Sequence, residues 1–209
     1  MEALDFFEGL EADNSKTYWT ENKATYDEKV YAPMAALVAE LEPEFGSGKI
    51  FRPYRDVRFS ADKTPYKTNI AAVVGEGYVQ LTAAGLSAGL GTWMMAPDQL
   101  ARYRAAVASD STGRELERVI DAIVKRKISV SGHDELKTVP RGYDRDHPRA
   151  NLLRYKGLVA WQEWPVAAWL SKPTAKDRVV EFYRTSAPLM SWLDSHVGPS
   201  TEPPQRRGH

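Results

Sequence analysis

Three short β-forming stretches, joined by links too short for anything but hairpins, restrict this chain more than any other feature. Residues 70–74, 78–83 and 86–93 are separated only by Gly75-Glu76-Gly77 and by Ala84-Gly85. Parallel pairing needs a crossover of a dozen residues or more, so these stretches can pair only as an antiparallel meander. Residues 54–59 alternate like a further strand, with Val57 and Phe59 beside Arg55 on one face and Tyr54, Asp56 and Arg58 on the other. A last strand is expected within 152–161. The sequence thus predicts an α+β fold, an antiparallel sheet of four or five strands with helices packed mainly on one face.

Apolar spacing predicts the helices. Leu4, Phe7 and Leu10 mark one over 2–12. Asp13, Asn14 and Ser15 offer N-caps for a long helix whose buried face runs Trp19, Tyr26, Val30, Met34, Leu37, Val38 and Leu41. Pro33 interrupts it, and because proline removes a donor and clashes one turn back, a kink or fresh start is expected there. Pro97 suits the first turn of a helix carrying Leu100, Tyr103 and Val107. Another carries Leu116, Val119, Ile120, Ile123 and Val124, and a final one begins near Thr174 with a bend at Pro188. Residues 127–151 read as a long irregular segment, a kind of loop that is uncommon unless it has a task.

The 209 residues are 43% hydrophobic, with six Trp and ten Tyr, enough apolar material for a sizeable core. One domain over 1–197 and a disordered tail over 198–209 are expected. The absence of cysteine excludes disulfides, thiolate metal sites, iron–sulfur clusters and cysteine nucleophiles. The first residues are acidic where a secretory leader is basic, and no stretch approaches 18 apolar residues. A soluble, cytoplasmic protein without membrane association is expected.

Net charge is zero but unevenly spread. Arg52, Arg55, Arg58, Lys63 and Lys67 against Asp56 and Asp62 give residues 52–67 a net +3. Arg141, Arg145, Arg149, Arg154 and Lys156 against Asp144 and Asp146 give residues 141–156 the same, so the remainder carries −6. Such a chain lacks the broad basic footprint of a non-specific nucleic-acid binder, yet it can hold one small anion. Arginine suits planar recognition of phosphate or carboxylate. Arg52, Arg55, Arg58, Lys63 and Lys67, with Arg149, Arg154 and Lys156 closing a shared cleft, are the candidate ligand-binding residues. The competing reading makes the same residues an internal salt-bridge network in a non-catalytic interaction or scaffold domain. If chemistry occurs, His147 is the titrating candidate and Asp56 its carboxylate partner.

Other motifs fall away. His133, Asp134 and Glu135 are consecutive, so their side chains diverge and no metal site is expected. Gly46-Ser-Gly-Lys49 has Pro43 where a phosphate loop needs its first glycine. Gly89-Leu-Gly91 lacks a third glycine and reads as a strand where backbones pack closely beneath Trp93. Trp161, Trp164 and Trp169 can stack on a base or sugar, or simply fill a core. No cofactor is implied.

The run from Phe51 to Lys67, FRPYRDVRFSADKTPYK, resembles the RDxRFSxDKxPYK signature of the family catalogued as domain of unknown function 2461. Phe6-Phe7 and Asn14 to Tyr26, with Trp19, Asn22 and Lys23, resemble its N-terminal helices. Gly89-Leu-Gly-Thr-Trp93 followed by Pro97 resembles its glycine-rich strand, and His147-Pro-Arg149 through Leu152 to Lys156 its C-terminal basic block. The resemblance spans roughly 4–195 and implies a one-domain α+β fold, but no activity and no catalytic residue, because the family is uncharacterised.

Overall fold

Glycine-containing turns reverse the chain at both predicted hairpins, and the intervening runs pair side by side. The computed structural model describes residues 2–58 and 61–202. Strands β1 (Gly48–Ile50), β2 (Asn69–Val74), β3 (Gly77–Thr82), β4 (Gly85–Thr92), β5 (Ser129–Ser131) and β6 (Leu158–Pro165) form one sheet in the order β1-β2-β3-β4-β6-β5. β2 and β3 pair antiparallel from Asn69 opposite Thr82 to Val74 opposite Gly77.

The sheet has six strands, not four or five, and two differ from expectation. β1 and β5 are three residues each, too short for alternation to show in a sequence. They pair antiparallel with β2 and β6, Val130 lying opposite Ala160. Conversely, the described part of 54–59 is not a strand; its last residue, Phe59, lies outside the described residues. Tyr54 makes only an isolated bridge with Tyr66. Pro53 and Pro65 flank that bridge and lack the N–H donors a longer ladder needs. Residues 150–154 are helical, so the strand expected from Leu152 starts at Leu158 instead.

Two compact units are present among the described residues, 2–88 with Glu163–Glu181, and Gly89–Gln162 with 182–202. The first contains α1 (Glu2–Ala12), α2 (Lys16–Glu21), the turn α3 (Lys23–Thr25), a π-helix (Tyr26–Tyr31) and α4 (Ala32–Phe45). Ser15 caps α2 by accepting from the Tyr18 N–H at 3.1 Å. The break predicted at Pro33 is taken up one turn earlier. The Ala32 N–H bonds to the Asp27 carbonyl, five residues back, and Pro33 then sits in the first turn of α4, where no N–H is needed. Leu4, Phe7, Leu10, Val30, Leu41, Ile70, Ala72, Val74 and Val79 are buried in this unit.

The second unit holds α5 (Pro97–Ala108), α6 (Asp110–Lys125) and α7 (Ala150–Arg154), and it takes the later turns of α8 (Thr174–His196). Tyr103, Val107, Leu116, Ile123, Leu153, Leu189 and Trp192 are its buried centre. The Trp192 indole N–H donates to the Thr112 carbonyl at 3.0 Å, and the Tyr103 hydroxyl to that of Leu152 at 3.0 Å, so these large aromatics are buried with their polar atoms satisfied. Residues 198–201 are tied to α5. Arg102 donates to the carbonyls of Val197 and Pro199, while Asp98 accepts from Ser200 and Thr201. Gly89 packs beneath Trp161, not Trp93, which is 53% exposed and stacks on His133 at 3.7 Å. Among the described residues no helix is long and apolar enough to cross a membrane.

Candidate functional site

In the first unit the signature segment folds back at the Tyr54–Tyr66 bridge. The Lys67 N–H donates to the Pro53 carbonyl at 2.8 Å and the Arg55 N–H to that of Pro65 at 2.9 Å. The Asn14 side chain stands in for a neighbouring strand. Its amide donates to the Tyr66 carbonyl at 3.1 Å and its oxygen accepts from the Tyr66 N–H at 3.0 Å. Trp19 stacks on the Tyr66 ring at 4.4 Å with the planes 7° apart, and Tyr54 leans on both rings. Asn14 and Trp19, far up the chain, therefore fix the posture of the basic hairpin; local spacing in the sequence offered them as a cap candidate and a core aromatic.

Most of the hairpin's charges close on one another. Arg55 pairs with the Asp62 carboxylate and donates to the Thr64 hydroxyl at 2.6 Å. The Thr64 N–H and hydroxyl, with Arg55 adding to them, hold the Asp62 carboxyl below its ordinary pKa. Arg58 forks onto Asp56 at 2.9 and 2.7 Å, and its donors hold Asp56 at about 2. The Lys63 ammonium donates to the Val57 carbonyl at 2.9 Å. Arg52 and Lys67 differ. Among the described residues neither has a carboxylate partner, and the Lys67 ammonium lies 5.6 Å from the centre of the Phe51 ring. Burial, and then the adjacent Arg52 charge, push the Lys67 pKa below that of an ordinary lysine.

In the second segment, which lies in the second unit, Arg149, Arg154 and Lys156 are engaged there. Arg149 is buried, with its side chain 3% exposed. Its guanidinium donates to the carbonyls of Val107 at 2.6 Å, Ala108 at 3.3 Å and Ser109 at 3.4 Å, and to Asp110 at 3.0 Å. These are the carbonyls at the end of α5, so Arg149 caps that helix. The chain at 154–156 pairs with 134–136 through the Glu135–Tyr155 bridge, which sets Arg154 against Glu135 at 3.1 Å and Lys156 against Asp134 at 2.6 Å. The His147 Nδ1 accepts from the Arg149 N–H at 3.0 Å, leaving Nε2–H to donate to the Ala108 carbonyl at 3.3 Å. Asp56 and His147 belong to different units, and each is held by partners within its own. Among the described residues no group of His, Asp or Glu is arranged to hold a metal ion.

No curated protein and no solved structure matches this chain. The model of a family described as conserved hypothetical protein matches residues 2–192, which include both basic segments and the Asn14–Tyr66 anchor. The chain belongs to that family, domain of unknown function 2461.

Proposed function

We propose that the protein binds a small anion, through a phosphate or carboxylate group, between Arg52 and Lys67. The observation that carries this reading is the pair itself. Two cations, close enough that one depresses the other's pKa, have no ion-pair carboxylate among the described residues, while Arg55 and Arg58 each pair with an aspartate and Lys63 donates to a carbonyl. An anion there relieves the repulsion and gains charge-assisted bonds from both, with the aromatic support of Tyr54, Tyr66 and Trp19 holding the backbone still. For Arg55, Arg58, Arg149, Arg154 and Lys156 the observed ion pairs favour the salt-bridge-network reading instead.

A thermal-shift series tests it, using inorganic phosphate and small phosphorylated or carboxylated metabolites. A ligand at a hundred times its dissociation constant stabilises by about 2.7 kcal/mol, a readily measured shift. The shift should vanish in Arg52→Ser/Lys67→Ser and survive in Arg154→Ala. Stabilisation retained in the double variant, or absent with every anion in wild type, overturns the reading.

A further inference from the structure

The first unit carries a groove of about 440 Å³ that no residue of the basic hairpin lines. Leu4 of α1, Val30 of the π-helix, Met34 and Leu37 of α4, Leu86 of β4 and Leu170 of the 3₁₀ turn Ala168–Ser171 face into it. Its size and apolar lining are those of a small-molecule site. The π-helix supplies two lining residues, Lys29 and Val30, and π turns recur where helices serve binding rather than packing.

The polar residues of the groove are ordered as well. Lys29 pairs with Glu2 at 3.3 Å and Lys176 with Glu40 at 3.2 Å. Lys172, also lining the groove, is exposed and has no carboxylate partner among the described residues. Three lysines against two glutamates leave one positive charge in excess, and it belongs to Lys172. An apolar trough with a single spare ammonium complements a molecule with a hydrocarbon body and one negative head.

We propose that this groove binds a monoanionic amphiphile, an unbranched aliphatic carboxylate of medium length, with its chain against the leucines and its head at Lys172. The site shares no residue with the Arg52–Lys67 pair, and either can fail without the other.

Decanoate and decyltrimethylammonium, both below their micellar concentrations, are titrated calorimetrically into the full chain. Decanoate should bind and the cation should not. Lys172→Glu should weaken decanoate by about fivefold, the worth of one solvent-facing ion pair. Leu37→Trp fills the trough from a half-buried lining position. Ala36→Trp fills it from an exposed lining position that the core does not depend on, so it keeps the test open if the first variant misfolds. Both should abolish binding, whereas Arg52→Ser/Lys67→Ser should leave it intact. The proposal is overturned if decanoate does not bind, if the cation binds as tightly, or if Ala36→Trp with an unchanged circular dichroism spectrum still takes up decanoate.

Discussion

A guanidinium with a side chain 3% exposed must satisfy its donors from nearby protein, and Arg149 does so almost entirely with carbonyls. Asp110 and Glu117, its carboxylate neighbours, are 76% and 43% exposed, so water can replace Arg149 for them but not for the end of α5. Gly113 leaves room for it, since a Cβ there would lie 2.4 Å from the Arg149 Nε. Arg149→Ala should therefore cost about 3 kcal/mol of stability in urea unfolding, from unsatisfied buried carbonyls and a cavity. Arg149→Lys, which keeps the charge but not the fork, should recover less than half of that. A loss within the scatter of surface substitutions would show that the carbonyls find other donors. The sequence reveals Arg149 only as one cation among several in a basic block. What separates it from Arg52 is burial, set by the packing of α5, α6 and α7, which no spacing in the sequence encodes. For the same reason the sequence shows the charge of the candidate site but not which cations are free.

At the scale of elements, what was legible followed from local rules. The meander was fixed by link length, and α1, α5 and α6 by apolar period and by Pro97. What was missed depended on partners far along the chain. β5 exists only because β6 lies beside it, and the bridge at Tyr54 stops where prolines withhold donors. The glycine-rich strand combines both kinds of cause. Gly91 has φ +139°, and a Cβ there would fall 2.3 Å from the Leu158 carbonyl oxygen and 2.8 Å from the Val159 Cα, so β4 meets β6 closely only without a side chain. Gly91→Ala should destabilise by at least about 2 kcal/mol in guanidinium unfolding, through backbone strain and a forced separation of two central strands. An alanine variant as stable as wild type would mean that β6 can shift without penalty.

For the whole molecule, the ionisable groups define a pH range of stability with two unlike edges. Asp56, Asp62, Asp98, Asp110 and Asp134 all have folded-state pKa values below those of free carboxylates, through hydrogen bonds and ion pairs made only on folding. Their stabilisation is complete above the unfolded value of about 4 and is lost as pH falls toward the folded values, about 2 for Asp56. Tyr26, Tyr103 and Tyr183 are shifted upward, chiefly by burial, Tyr26 to about 12. Their contribution is complete below the unfolded value of about 10 and is lost as pH rises past it, because only the unfolded chain then ionises them. The melting temperature should accordingly be flat between about pH 4 and 10 and fall on both sides. The acid edge can be assigned further. Asp98, held well below the usual range by the Thr201 N–H and the Ser200 hydroxyl, ties the chain after α8 to α5. Asp98→Asn keeps the shape and removes the charge, so its melting temperature should lie below that of wild type at pH 7. The gap should narrow below pH 4, as protonation takes the same charge from wild type. A gap that stays constant down to pH 2 would show that Asp98 acts through its shape alone and that the acid edge belongs to the other carboxylates.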